Sequence, residues 1–398
     1  MSEYEAHMQL ALELARRGRG AVEPNPTVGA VLVRQGQVIG QGWHRQFGGP
    51  HAEVEAIADA RAAGHDPAGS TLVVTLEPCC HQGKTPPCTQ AIIEAKIAIV
   101  VAAMVDPFEP VRGKGLEALR RRGIEVIEGV GQEPARRLLE AYTKLRTIGR
   151  PWVICKWAQT LDGRIAARTG HSRWISGEAS RRRVHEMRGG CDGVAVGAGT
   201  VLADNPLLTN RSGSGRQPAR VVLDDALNIS LASRLVGSID QAPLLVATTP
   251  AALAAKPPHA QALRARGAEV LELPPGAGGV DLGALLDELG RRQWTRLMVE
   301  GGSAVLGSFI RQNLCDELAV FLAPRLLGGR EGLPCITWPE ANTIDHAWAL
   351  PGPEVERIDG DLLLTFRLAE NSKSDPDPLE NPKSEIRNPK QIQDSKSE

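Results

Sequence analysis

His51-Ala52-Glu53, Pro78-Cys79 and Cys88 place an imidazole, a carboxylate and two thiols in one stretch of chain. These types form the smallest set that can hold Zn²⁺ with one coordination position open and a proton carrier alongside. Two thiolates and a neutral imidazole leave the bound dication with no net charge, and water on it is still acidified toward neutral pH. Glu53, two residues from His51, is the candidate carrier that takes a proton from water and returns it to a leaving amine. Hydrolytic deamination is the expected chemistry. The alternative is a closed structural site, with Cys80 or His81 as fourth ligand. Closed sites usually pair cysteines as C-x-x-C, whereas eight residues separate Cys79 from Cys88.

Positioning these groups sets conditions on the elements around them. Residues two apart on a helix diverge, so His51 has to sit at the cap of a helix that carries Glu53 in its first turn. That helix is expected from His51 to Gly64. Another, from Pro87 to Ala95, brings Cys88 to its start, where the dipole favours a thiolate. The pattern also predicts helices over Tyr4–Arg17, Gly115–Arg122 and Glu133–Arg146. Strands are expected over Val28–Arg34 and Gln37–Gly42, joined by a Gln35-Gly36 turn, and over Thr71–Leu76, Ile97–Val105 and Gly123–Glu128. Such alternation gives a layered α/β domain with a largely parallel end to its sheet.

A second α/β cycle opens at Pro151. Its expected strands are Trp152–Ala158, Gly193–Gly197, Arg220–Asp224, Leu244–Thr248, Glu269–Leu273, Arg296–Glu300, Glu317–Ala323 and Leu362–Leu368. Its helices fall near Glu178–Arg188, Leu282–Arg292 and Ser303–Gln312. The expected domains are 1–146 and 147–368, and a chain of 398 residues is too long for one ordinary core. Residues 369–398 have too few apolar side chains to offset the entropy of ordering, so a disordered tail is expected there.

A net charge of -1 and 4% aromatic residues offer neither a basic stripe nor stacking platforms, which argues against nucleic acid as a partner. The longest apolar run, Ile97–Val105, is far below the ~20 residues of a spanning helix, and no secretory pattern opens the chain. Three of the seven cysteines crowd into positions 79, 80 and 88, which fits metal chemistry in a reducing cytoplasm.

In the second half, Gly193-Val194-Ala195-Val196-Gly197-Ala198-Gly199-Thr200 has glycines after a strand, but Leu202 stands where a dinucleotide fingerprint needs its third glycine. Glu300-Gly301-Gly302-Ser303 is a strand end opening into a helix, where backbone N–H groups can approach a pyrophosphate; a plain strand-to-helix turn has the same residues.

Zinc deaminases carry H-x-E followed by P-C-x-x-C. The longer spacer here, Cys79-Cys80-His81-Gln82-Gly83-Lys84-Thr85-Pro86-Pro87-Cys88, together with Pro24-Asn25-Pro26-Thr27-Val28-Gly29 and Gly42-Trp43-His44, resembles the bifunctional deaminase–reductases of riboflavin biosynthesis. Lys156-Trp157-Ala158-Gln159-Thr160-Leu161-Asp162-Gly163-Arg164, Ser172-Arg173-Trp174-Ile175-Ser176 and Gly199-Thr200-Val201-Leu202-Ala203-Asp204-Asn205-Pro206 are similar to the reductase half of that family. The resemblance runs to about residue 368. It implies a cytidine-deaminase-like domain followed by a dihydrofolate-reductase-like one, with Zn²⁺ and NADPH as cofactors, and a homo-oligomer.

Residue by residue, it implies zinc on His51, Cys79 and Cys88, with Glu53 catalytic and Asn25, His44 and Lys84 touching the deaminase substrate. In the second half it implies substrate contacts at Ser172, Arg188, Leu208, Arg211 and Glu300. Cofactor contacts would be Ala158, Trp174, Thr200, Asp204 and the turn Gly302, Ser303, Ala304, Val305, Leu306, Gly307 and Ser308. Lys84 supplies a charge for a ribose phosphate, or is a solvated loop lysine. Asn25 reads a pyrimidine edge or only makes a turn, and His44 could be a surface histidine. Arg188 and Arg211 make chemical sense as a phosphate clamp and are equally acceptable as surface arginines. Trp174 stacks on the cofactor or belongs to the core. Where the family commonly has Asp-Ser this chain has Asp224-Asp225, and a carboxylate near a 2′-phosphate is unfavourable. Cys80 replaces the usual serine.

The expected function is deamination of a diaminopyrimidinone ribosylamino 5′-phosphate, then NADPH-dependent reduction of its ribosyl side chain to ribityl. Two rivals are a cytidine- or guanine-type deaminase fused to an unrelated reductase, and a structural zinc site joined to a nucleotide-binding module.

Overall fold

The structure, a computed structural model, describes residues 4–329, 331–337 and 343–368. The tail expected over 369–398 lies outside these residues. In the first half the elements run α1 (Glu5–Arg16), β1 (Gly29–Arg34), β2 (Gln37–Trp43), α2 (Ala52–Ala62), β3 (Thr71–Val74), α3 (Cys88–Glu94), β4 (Ile99–Ala102), α4 (Lys114–Arg120), β5 (Glu125–Glu128) and α5 (Gln132–Ile148). The sheet order is β2-β1-β3-β4-β5, antiparallel across β2, β1 and β3 and parallel from β3 to β5. Gly29 lies beside Ala30, whose cross-strand partner is Gly42, so the two glycines face opposite sides of the sheet. A Cβ on Gly29 would meet the Ala11 carbonyl of α1 at 2.0 Å, and one on Gly42 would meet the Ala56 nitrogen of α2 at 2.4 Å. Helices therefore press close on both faces.

The strand expected over Ile97–Val105 is confined to Ile99–Ala102: Ile97 still bonds back to Ile92 of α3, Ala98 bridges to Ser70 and Glu125 at the strand's start, and Ala103 makes its last ladder bond to Val74. Helix α5 runs two residues past the expected Arg146, and Gly149, at φ 77°, ends it.

The second half continues with β6 (Trp152–Thr160), β7 (Arg164–Ala166), α6 (Glu178–Gly189), β8 (Gly193–Gly197), α7 (Ala198–Asp204), β9 (Ala219–Leu223), α8 (Arg234–Gly237), β10 (Leu244–Thr248), α9 (Pro250–Ala255) and α10 (Pro257–Ala265). It ends with β11 (Glu269–Glu272), β12 (Pro275–Gly276), β13 (Gly279–Val280), α11 (Leu282–Arg291), β14 (Arg296–Val299), α12 (Ser303–Arg311), β15 (Glu317–Ala323), β16 (Leu333–Pro334), β17 (Glu354–Ile358) and β18 (Asp361–Arg367). Nine strands form one sheet in the order β11-β10-β9-β8-β14-β6-β15-β18-β17, parallel up to β15 and antiparallel beyond it. Alternate residues of β6 enter different cores: Val153, Cys155 and Trp157 join one apolar cluster, Ile154 the other. Both faces are thus covered, as a parallel sheet requires.

Helix α5 ties the halves together. Ala135, Leu138, Leu139 and Tyr142 enter the first core. Its other side reaches the second sheet: Lys144 pairs with Asp316 at 2.5 Å, and Glu140 pairs with Arg367 at 3.0 Å and Arg296 at 3.6 Å. At its end the backbones nearly touch, since a Cβ on Gly290 of α11 would stand 1.7 Å from the Gly149 carbonyl.

Candidate active sites

The first site forms where α2, α3 and the loop after β3 meet. His51 is the N-cap of α2, with extended backbone (ψ 165°), so its ring leaves the helix axis while Glu53 enters the first turn. This meets the condition set by the two-residue spacing. Cys88 opens α3 behind Pro87, which is the cap and not the first helical residue. The ligand atoms of His51, Cys79 and Cys88 lie within 4.8 Å of one another, and among the described residues no fourth His, Cys, Asp or Glu joins them. His51 Nδ1 stands 3.2 Å from Cys88 Sγ and 3.5 Å from Cys79 Sγ, and Cys79 Sγ accepts the Cys88 N–H at 3.3 Å. Three soft donors around one point, open on the side of a cavity, fit a catalytic Zn²⁺ better than a closed structural one. His81, the alternative fourth ligand, instead packs its ring edge on Phe108.

A hydrogen bond from the Cys88 thiol, joined by His51, draws the Cys79 thiol down to about 4 against burial. Cys88, which gives that hydrogen bond and is itself buried, is pushed up. Burial raises Glu53 to about 7, opposed by His51, and so brings it near the value a neutral-pH proton carrier needs.

A cavity of about 270 Å³ opens on this trio, lined among others by Asn25, His44, Lys84, Asp106, Phe108, Tyr142 and Arg146. His44 is buried, not a surface residue. Its Nδ1 is 2.9 Å from the Pro50 carbonyl and Asn25 Nδ2 is 3.3 Å from its Nε2, which fits a neutral ring that donates to Pro50 and accepts from Asn25. Burial lowers its pKa in the same direction. Lys84 is exposed at the rim with its ammonium 3.9 Å from the Phe47 ring centroid. Cys80 stands outside the ligand cluster.

Glu77 escaped the sequence reading. Buried beside Pro78, its two oxygens accept the N–H groups of Asp106, Gly113, Gly115 and Leu116 at 2.8–3.3 Å. It pins the loop that carries Cys79. No local pattern could have shown this, because its partners lie 29–39 residues away.

The second site gathers at the ends of β6, β8 and β14. Glu300 accepts Arg188 Nε at 2.7 Å and Nη2 at 3.0 Å, and Lys156 Nζ stands 3.5 Å away. Burial pushes the Glu300 carboxyl up, but the two cations outweigh it and hold it at about 2. Burial also lowers Lys156. Lys156 carries no local signal of a role, and the fold makes it part of this triad.

The expected Arg188–Arg211 phosphate clamp takes a different form. The Arg188 fork is spent on Glu300, and its Nη1 donates to the Thr209 carbonyl. Arg211 is exposed, and among the described residues its side chain bonds only to His185, at 3.1–3.3 Å from the ring nitrogen Nε2. Leu208 is buried with φ 56°, a strained backbone for a branched side chain. Trp174 is 61% exposed, so it is no core residue; Arg181 lies 4.5 Å over its ring. Ser172 is half-buried on the same loop.

The glycines after Glu300 do open directly into α12, with Gly302 as N-cap and Ser303, Ala304, Val305, Leu306, Gly307 and Ser308 in its first two turns. Thr200 Oγ1 accepts the Gly302 N–H at 3.0 Å. The Asp204 carbonyl accepts from Arg173 at 2.8 Å, and Ala158 lies in β6. The segment Gly197–Gly199 starts α7, a helix the sequence reading left out. A second cavity, about 210 Å³, runs from Ala304, Val305 and Ser308 past Gly197 and Gly199 to Asp225 and Gly279. Such a crevice at strand ends, with a helix N-terminus on its wall, fits a dinucleotide. Among the described residues, the one charged side chain in its lining is Asp225.

Comparison with known proteins agrees with both halves. Residues 1–104 match the cytidine and deoxycytidylate deaminase zinc-binding region, and residues 151–350 match the RibD C-terminal domain. The riboflavin biosynthesis protein RibD of Aquifex aeolicus is 41% identical over 91% of this chain and 97% of its own. That of Escherichia coli is 35% identical over 90% and 98%. The structure of a diaminohydroxyphosphoribosylaminopyrimidine deaminase/5-amino-6-(5-phosphoribosylamino)uracil reductase from Thermotoga maritima is 40% identical and superposes with a TM-score of 0.80, covering 92% of this chain and 99% of that one. Acinetobacter baumannii RibD, at 34% identity, gives 0.81 over 92% and 98%. The clustered His51, Cys79 and Cys88, the paired α/β domains and this near full-length similarity together show that the chain belongs to the RibD family of riboflavin-biosynthesis proteins.

Proposed function

We propose that residues 1–146 deaminate 2,5-diamino-6-ribosylamino-4(3H)-pyrimidinone 5′-phosphate. Residues 147–368 then reduce the ribosyl side chain of 5-amino-6-(5-phosphoribosylamino)uracil to ribityl with NADPH. The observation that carries this reading is the open-sided trio of His51, Cys79 and Cys88 with Glu53 buried beside it. Zn²⁺, when bound there, supplies an acidified water. Glu53 accepts a proton as the water oxygen adds to ring carbon 2 and gives it to the neighbouring ring nitrogen as that C=N bond opens; it then takes the remaining hydroxyl proton, as the C2=O bond forms, and delivers it to the 2-amino nitrogen. The C–N bond breaks and ammonia leaves. Asn25 and the neutral His44 hold the pyrimidine edge, and Lys84 meets the phosphate at the rim.

In the second site NADPH supplies the hydride for C1′ of the ring-opened sugar. The turn from Gly302 to Ser308, with Thr200, Asp204, Ala158 and Trp174, is assigned to the cofactor. Ser172, Arg188, Leu208, Arg211 and Glu300 are assigned to the substrate. Glu300 holds Arg188 and Lys156 in fixed positions. Lys156, whose ammonium burial makes easier to deprotonate, is placed to give a proton to the sugar oxygen as the ring opens. The partners are small molecules, and the assembly is assigned as a cytoplasmic homo-oligomer. No helix among the described residues is long and apolar enough to cross a membrane.

The test is Glu53→Gln in zinc-loaded protein. Ammonia release should fall by ~10²-fold or more while zinc stays bound. Undiminished release would refute the assignment. NADPH oxidation should follow only from the deaminated compound, and equal use of the undeaminated one would overturn the order.

A further inference from the structure

Arg146 stands in the last turn of α5 and lines the deaminase cavity, where it and Lys84 are the Arg and Lys side chains among the described residues. Its surroundings are unusual for a guanidinium. Nη1 donates to Gln293 Oε1 at 2.9 Å and Nη2 to the Pro24 carbonyl at 3.3 Å, both neutral acceptors. Nε is buried with no hydrogen-bond partner among the described residues. The group lies 5.1 Å from the Phe108 ring centroid and 5.4 Å from that of Tyr142. The carboxylates of the same cavity wall are otherwise engaged: Glu77 holds backbone N–H groups, Asp106 accepts the Tyr142 hydroxyl, and Glu53 sits beside the cysteine ligands. Asp106 is near enough to feel the Arg146 charge, but the guanidinium's hydrogen-bond acceptors are neutral and its Nε is unused, so the group keeps capacity for an anion.

The residue that orients Arg146 belongs to the other half of the chain. Gln293 follows α11, and its own Nε2 donates to the Gly290 carbonyl at 3.3 Å. Gly290 is the glycine whose close approach to Gly149 brings the second domain against the end of α5. The bracket Gly290–Gln293 therefore holds the guanidinium from outside the deaminase domain.

We propose that Arg146, together with Lys84, binds the 5′-phosphate of the deaminase substrate, and that Gln293 of the second domain is its positioning residue. The phosphate offers the dianionic, multiply accepting partner that a guanidinium fork matches. This rests on the phosphoribosyl pyrimidine reading given above.

The experiment compares full-length, zinc-loaded wild type with Arg146→Gln, Arg146→Lys and Gln293→Asn on the pyrimidinone phosphate and on its dephosphorylated nucleoside. Asn is chosen because Gln293 has φ 62°, which Asn tolerates, while its shorter side chain cannot reach Arg146. Arg146→Gln should raise the deaminase KM for the phosphate ~10-fold or more, leave kcat within about twofold and leave nucleoside kinetics unchanged. Arg146→Lys should recover part of the loss, and Gln293→Asn should raise KM ~3-fold or more. Zinc content and the reductase rate on deaminated substrate should stay at wild-type values in all three. An unchanged KM in Arg146→Gln, or an equal rise for phosphate and nucleoside, overturns the phosphate assignment. A silent Gln293→Asn overturns the positioning role. If Arg146→Gln loses zinc or reductase activity through misfolding, the Lys and Asn variants decide by the same KM criterion. A wild-type chain that deaminates neither compound would overturn the underlying reading, and the inference with it.

Discussion

Glu300→Gln tests the second site through stability as well as activity. The carboxylate sits 2.7 and 3.0 Å from two Arg188 nitrogens and 3.5 Å from Lys156, with side-chain exposures of only 9–13%. Burial alone would raise its pKa, yet the cations bring it from 4.5 to about 2. At about 1.4 kcal/mol per unit, that drop corresponds to roughly 3 kcal/mol of stability. The sign follows from the depressed folded value. The contribution is fully present above pH 4.5 and is lost as pH falls through about 2. At pH 7 the variant removes it and leaves two buried cations facing each other, for which breaking a buried pair suggests ~3–5 kcal/mol. Urea denaturation of full-length protein should therefore show a wild-type advantage of that size, flat from pH 5 to 8 and shrinking only below about 4.5. Adding Arg188→Met should restore part of the loss, with a coupling of about 1 kcal/mol or more in the double-mutant cycle. A difference under about 1 kcal/mol at pH 7, or one that varies between pH 5 and 8, would refute the charge-triad argument.

A zinc chelator should abolish ammonia release and spare reduction of the deaminated substrate, measured on the same sample; parallel loss of both would mean the metal is structural for the whole chain. Gly115→Ala should weaken zinc binding ~10-fold or more in competition with a chromogenic chelator, because its Cβ would fall 2.0 Å from the Pro78 carbonyl next to Cys79. Asp225→Ser should tighten NADPH ~10-fold at low salt with little effect on NADH, the gap closing as salt rises. Fluorescence titration of each cofactor would check it, and equal shifts for both would contradict a 2′-phosphate effect.

The convergence of His51, Cys79 and Cys88 was legible because its signal is local: two of them sit at helix starts, and the third follows a strand. The parallel core strands β8, β10 and β14 were legible for the same reason, as short apolar runs between turn residues. Strand β17 was missed because Glu354–Ile358 is an exposed edge strand rich in charge, where no apolar alternation is needed. Helices α7, α9 and α10 are short and rich in Gly, Ala and Pro, so their periodicity is weak. The roles of Glu77, Lys156 and Arg146 depend on partners brought close only by tertiary folding. Resemblance supplied most of the candidate reductase residues, but it did not foresee that Arg188 would be bound up with Glu300.

Helix α5 has a consequence for how such a chain can change over generations. Its apolar residues are indispensable to one enzyme, and Glu140 and Lys144 are matched to charges of the other. Gene fission at Gly149 would strip those two residues of their partners and expose the Arg146 end of the deaminase cavity. Fission before Gln132 would tear out part of the deaminase core. Neither cut is silent. A lineage that lost the need for reduction would still be held to the reductase fold, retained as a scaffold after its chemistry had decayed.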